Sequence, residues 1–115
     1  MRLIRFEIFS DANKYEGIFT ANLSNLETEL FFDICTTTEY FDRNLPILPF
    51  EKIKDVNTFS YFTPHGYKTM KKQIKILIGK FKACGYKTRC KIINIKVNKN
   101  KKVIYKDEYQ VALIA

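Results

Sequence analysis

The sequence holds no tryptophan, one histidine, three cysteines, four glycines and three prolines in 115 residues. Each shortage closes off a class of protein. So few glycines and prolines exclude collagen-like and low-complexity chains. Cys35, Cys84 and Cys90 are odd in number and contain no CxxC pair. That argues against a secreted disulfide framework and for free, buried thiols in a reducing compartment. One histidine and scattered cysteines supply no metal site, and no cofactor is expected. Gly17, Gly66, Gly79 and Gly85 are too dispersed for a phosphate-cradling loop or a dinucleotide fingerprint. The opening MRLIRFEIF has no apolar run of signal-peptide length, and no stretch approaches the roughly 20 residues that span a bilayer. The expectation is a soluble cytoplasmic protein with no membrane partner.

What is present suits one folded domain over residues 1–115. Hydrophobic residues make up 46% of the chain, and ten Phe and seven Tyr supply large core side chains. The net charge is +8, but it is unevenly placed. Residues 1–60 carry six basic and ten acidic groups, net −4, whereas residues 61–115 carry fourteen basic groups against Asp107 and Glu108, net +12. Such asymmetry within a small domain predicts one strongly positive face, whose natural partners are polyanions.

Apolar periodicity predicts the elements. Ile4, Phe6 and Ile8 alternate with Arg5 and Glu7 as in a strand. Tyr15, Gly17, Phe19, Ala21 and Leu23 predict a second strand pairing back on the first. Gly17 within it marks a bulge or a close approach to the backbone. Ser24 and Glu27 match a capping box, predicting a short helix over 25–34. Residues 36–60, with Pro46 and Pro49, read as a long connection pinned by Tyr40, Phe41, Leu48 and Phe50.

The clearest element is a helix over 64–84, with Thr63 as cap, Pro64 in the first position and Gly85 as a left-handed stop. At 100° per residue, Tyr67, Met70, Ile74, Leu77, Ile78, Phe81 and Cys84 share one face. Lys68, Lys71, Lys72, Lys75 and Lys82 lie opposite, with no acidic residue among them. After Gly85 a hairpin is expected, with strands over 87–97 and 102–113 around a turn at 98–101. A change of apolar parity at Ile92 and Ile93 predicts a bulge or burial on both faces. The whole reads as α+β, a mostly antiparallel sheet with N-terminal and C-terminal hairpins packed on one long amphipathic helix.

Catalytic constellations are sparse. His65 at the helix start is the one candidate general base, and with Tyr61 and Tyr67 it marks a possible small pocket. A lone first-turn histidine without a partner is more often simply exposed, so no enzyme activity is expected. Asp107 and Glu108 are strand neighbours and point to opposite faces, with Asp107 expected to find a Tyr or Lys partner. The basic second half is the remaining signal. Lys68, Lys71, Lys72, Lys75, Lys82, Arg89, Lys91, Lys99, Lys101 and Lys102 are the expected polyanion contacts, forming one surface from helix and hairpin. Lysine is suited to phosphate backbones more than to base readout. Tyr61, Tyr67 and Tyr86 are candidate stacking residues for single strands. The expectation is a monomeric or small homo-oligomeric binding protein for nucleic acid or a nucleic-acid-associated protein. The alternative is a phage or mobile-element inhibitor of a host enzyme, of the anti-CRISPR kind, acting by protein–protein contact.

Overall fold

A computed structural model describes residues 1–45, 58–95 and 102–114. Its elements, in chain order, are β1 (Arg2–Phe9), β2 (Tyr15–Gly17), α1 (Thr28–Asn44), β3 (Thr58–Phe62), α2 (Pro64–Ala83), β4 (Thr88–Asn94), β5 (Lys102–Lys106) and β6 (Gln110–Ile114). The six strands form one sheet in which every pairing is antiparallel. The fold is therefore α+β, as the periodicity predicts.

Strand β1 organises this sheet. Along one edge it pairs with β4 from Arg2↔Asn94 to Ile8↔Thr88. Along the other it meets β3 at Ile4↔Phe62 and then β2 from Glu7↔Gly17 to Phe9↔Tyr15. Strand β3 continues to β6, and β6 to β5. Alternate side chains of β1 enter two different apolar clusters, as a strand's period of two requires. Ile8, with Ile4 and Phe6, joins Phe62, Ile34, Phe41, Met70, Ile74, Leu77 and Phe81 beneath the two helices. Leu3 joins Tyr61, Val111 and Leu113 on the opposite face, with Phe59, Ile93 and Ile95 packed around them.

Helix α2 follows its sequence signals closely. The Thr63 hydroxyl accepts from the Gly66 amide, Pro64 opens the helix, and Gly85 follows at φ +90°. Met70, Ile74, Leu77 and Phe81 are buried against the sheet, each worth about 1.5–3 kcal/mol in removed apolar surface. Beyond Gly85, Tyr86 donates to Asp11. Burial first, then that hydrogen bond and the Asp11 charge, push the Tyr86 hydroxyl up to about 12. Asp11 also accepts from the Asn25 amide, so one carboxylate ties the approach to α1 to the end of α2.

The structure departs from expectation in three places. The second strand does not reach Leu23. It ends at Gly17, because Thr20 closes a turn onto the Gly17 carbonyl and Glu16 draws back both Ser10 and the Asn22 amide. Gly17 does mark a close approach, since a Cβ there would meet the Arg5 guanidinium at 2.9 Å.

The short helix expected over 25–34 starts at Thr28 and runs seventeen residues, without a side-chain cap from Ser24 or Glu27. Ile34, Thr37 and Phe41 sustain one buried face through the stretch read as a connection. The hydroxyls of Thr36, Thr37 and Thr38 donate to carbonyls three or four residues back instead of breaking the helix. Of the remaining connection, residues 58–60 belong to β3, and residues 46–57, with Pro46, Leu48, Pro49 and Phe50, lie outside the described residues.

The third departure concerns the C-terminal hairpin. Strand β4 pairs with β1, not with the strand after residue 101. The hairpin is made by β5 and β6 instead. Asp107 turns the chain there: its carboxylate accepts from the Tyr109 and Gln110 amides and, as expected of its position, from the Tyr105 hydroxyl. The expected turn at 98–101 lies outside the described residues. β4 pairs with β1 in unbroken register, and Ile92 is 62% exposed, so the parity change reflects neither a bulge nor burial on both faces.

The junction of β3, α2 and β6 is tightly built. Thr63 donates its amide to the Tyr109 carbonyl and its hydroxyl to the Glu108 carbonyl, and a Cβ on Gly66 would collide with that same Tyr109 carbonyl. Gly66→Ala is expected to destabilise by about 2–3 kcal/mol. Gly79→Ala, in a helix interior with nothing within 4 Å of its added Cβ, is expected to stabilise by about 0.5–1 kcal/mol. Urea midpoints at constant slope measure both.

Candidate polyanion interface

Because the apolar stripe of α2 faces the sheet, its lysines are turned to solvent. Lys68, Lys71, Lys72, Lys75 and Lys82 are all exposed. On a helical wheel they fall within one arc, and from Lys68 to Lys82 they extend about 21 Å at 1.5 Å per residue. None makes an ion pair among the described residues, and α2 contains no Asp or Glu. The sixth lysine, Lys80, lies on the flank toward α1 and is spent there. Its ammonium donates to Asp33 at 2.9 Å and to the Thr37 hydroxyl at 2.7 Å. Among the described residues, the acidic first half of the chain therefore neutralises one lysine of the helix and leaves a five-charge stripe open.

The rest of the expected surface divides. Arg89 and Lys91 stand opposite Glu7 and Arg5 across the β1–β4 ladder. Those β1 residues share the parity of Leu3, on the sheet face away from both helices. The α2 lysines and the β4 cations thus point to opposite sides of the molecule. This overturns the expectation of one continuous surface. Lys102 is exposed on β5 at the far end of the sheet from β4. Lys99 and Lys101 lie outside the described residues.

Arg89 is held by a partner that sequence reasoning missed. Glu7 is only 2% exposed, and its two oxygens accept from Arg5 Nε and Arg89 Nε, each at 2.7 Å. Arg5 also donates to the Ser60 carbonyl and sits 5.2 Å from the Phe59 ring centroid, while Arg89 lies 3.9 Å from that of Tyr15. Burial alone raises the Glu7 pKa, but the hydrogen bonds and charges of the two arginines outweigh it and hold the carboxyl below its ordinary value. The available signal was the spacing: Arg5 and Glu7, two apart on a strand, share a face. The long-range partner Arg89 carried no local signal.

The expected small pocket is not assembled. Tyr61 is buried in the cluster opposite the helices, whereas Tyr67 stacks on Phe6 on the helix side, with centroids 5.8 Å apart. His65 is exposed and its ring lies tilted against that of Tyr109, centroids 5.3 Å apart, where with Glu108 it lines an open depression. Strand parity separates the two tyrosines: Tyr61 and Phe62 are adjacent on β3, and it is Phe62 that faces the helices. Tyr86 is engaged by Asp11, so none of the three tyrosines forms a stacking platform on the lysine face. No group of three or more His, Cys, Asp or Glu that could hold a metal ion occurs among the described residues. The cysteines are free thiols, with Cys35 and Cys84 half-buried and, against the expectation of burial, Cys90 exposed. No described helix is long and apolar enough to cross a membrane.

The Glu7 centre makes a pH prediction. Its lowered pKa means it contributes stability fully above the unfolded carboxylate value, about 4.3, and loses that contribution as pH falls through the lower folded value. Glu7→Gln is expected to cost roughly 3 kcal/mol at neutral pH by leaving the half-buried Arg5 uncompensated. The variant's stability is also expected to fall less than that of the unsubstituted chain between pH 5 and pH 2, as read from urea unfolding across that range.

No protein-family profile, no curated protein and no solved structure matches this chain.

Proposed function

We propose that this protein is a non-catalytic binding protein that engages nucleic acid through phosphate-backbone contacts made by α2. The observation that carries the reading is the stripe of Lys68, Lys71, Lys72, Lys75 and Lys82, five exposed ammonium groups on one helix face with no carboxylate partner among the described residues. Ammonium groups neutralise phosphates and release condensed counterions, a contribution that is independent of base sequence and steeply dependent on salt. The stripe contains no Arg, Asn or Gln, the side chains that read base edges most often. The contact is therefore positional, with little sequence preference. This reading places the protein in the cytoplasm as a monomer or small homo-oligomer.

A second reading, contact with a nucleic-acid-associated protein or inhibition of a host enzyme, is favoured by a different feature. At the start of α1, Leu30, Phe31 and Phe32 are exposed, Phe32 by 63%, with the two rings 6.2 Å apart. Exposed aromatic side chains of this kind anchor protein interfaces. Phe32→Ser separates the readings, since it removes such an anchor and leaves the lysine stripe intact.

Fluorescence anisotropy with labelled duplex and single-stranded DNA and RNA, repeated over a series of salt concentrations, tests the nucleic-acid reading. The expected log–log salt slope is about −4, from four or five phosphate contacts at roughly −0.9 each on duplex. Lys71→Ala with Lys75→Ala is expected to flatten that slope by about 2 and to weaken binding on all sequences alike, with the melting temperature unchanged. A slope that the double substitution does not move, or no binding at low salt, overturns the assignment.

A further inference from the structure

We propose that the outward edge of β4 is a docking site for an extended peptide segment that alternates acidic and apolar residues. The hydrogen-bond alternation of the sheet shows which backbone groups are free. The Phe9 amide donates to the Lys87 carbonyl, and the Ile95 amide donates to the Met1 carbonyl. Both join odd-numbered residues, and in an antiparallel ladder successive residues turn their N–H and C=O to opposite sides. Residues 89, 91 and 93 therefore bond to β1, while Thr88, Cys90 and Ile92 direct their backbone groups away from it. Among the described residues, no strand other than β1 pairs with β4. From Thr88 to Ile92 this outward edge pairs with no other described strand, and such an edge is a template for another strand.

The side chains flanking that edge define what it takes. On the face away from the helices stand Arg89 and Lys91, with Arg5 behind them on β1. The one carboxylate paired with them, Glu7, is already shared between two arginines. That face keeps an excess positive charge. On the other face, Cys90 is exposed and Ile92 is 62% exposed, an apolar surface beside an open ladder. An added strand has the same period of two. It places carboxylates beside Arg89 and Lys91 when it places apolar side chains beside Cys90 and Ile92. A second copy of the chain fits poorly in the register centred on Cys90. Antiparallel pairing of two β4 edges about Cys90 sets Arg89 directly against Lys91 of the other copy, like charge on like charge.

The inference is independent of the α2 lysines and is tested apart from them. The probe is a labelled, N-acetylated eight-residue peptide alternating Glu and Val. A peptide of the same composition in the order Glu-Glu-Val-Val and an alternating Lys–Val peptide serve as comparisons. Anisotropy is expected to show the Glu–Val alternation binding at least about tenfold more tightly than either, and amide exchange is expected to slow at Thr88, Cys90 and Ile92. Cys90→Pro removes a donor that points away from β1, so it spares the β1 ladder. It is expected to weaken the peptide by at least about tenfold with the far-UV spectrum retained. Lys91→Glu gives a second arm: it is expected to lose the Glu–Val peptide and gain the Lys–Val one. Equal binding of the alternating and block peptides, exchange protection confined to residues outside β4, or a fully folded Cys90→Pro variant that binds as before each overturns the proposal. So does a self-association, read by sedimentation, that Cys90→Pro abolishes, because it assigns the edge to a second copy. The Lys71→Ala and Lys75→Ala pair is expected to leave peptide binding unchanged, which separates this result from the nucleic-acid one.

Discussion

The structure depends on the requirement that β1 be satisfied on both of its faces and along both of its edges. Its even-numbered residues Ile4, Phe6 and Ile8 lie under the helices, and Leu3 is buried on the opposite face. Arg5 and Glu7 share that second face, where a carboxylate only 2% exposed is tolerable solely because two guanidinium groups bond to it. Arg89 has to come from β4 to complete the group. That demand pins β4 to β1 in a single register and draws a cation of the basic second half into a structural role.

Charge segregation then sorts the two helices. Both lie over the same sheet face, joined through Ile34, Phe41, Ile74 and Phe81, and the Lys80–Asp33 pair joins them further at 2.9 Å. The pair is partly exposed, so its energetic weight is modest. It places Asp33 of α1 against α2 on the side away from the lysine stripe. Among the described residues the five remaining lysines make no ion pair, and they concentrate positive field along one helix face.

The two proposed binding features therefore sit on separate parts of the molecule. The lysine stripe is a convex row of charges that a phosphate backbone can follow at several registers, which suits weak sequence preference. The edge of β4 presents backbone groups in fixed register, flanked by cations on one side and apolar surface on the other. It suits a partner recognised by pattern. Neither feature needs a catalytic group, and His65, the one histidine, packs against Tyr109 beside an open depression.

Helix α2 was fully legible in the amino-acid order, with its cap, its apolar stripe, its lysine face and its stop. All of these are local, set by spacing within a few turns. The α+β class and the first strand were legible for the same reason. Helix α1 was half legible: its threonines and its Asp-Arg-Asn end read as loop, and only burial of Ile34, Thr37 and Phe41 against the sheet and α2 overrides that local preference. The partner of β4 was not legible, because hairpin reasoning weighs neighbours in sequence, whereas the pairing is decided by a buried carboxylate more than eighty residues away. The division of the basic surface into two sides has the same origin. Composition and periodicity determined how many cations the second half carries and which share a helix face. Strand pairing decided which side of the sheet the others occupy, since a side chain's direction in a sheet follows from its partner strand as well as from its own alternation.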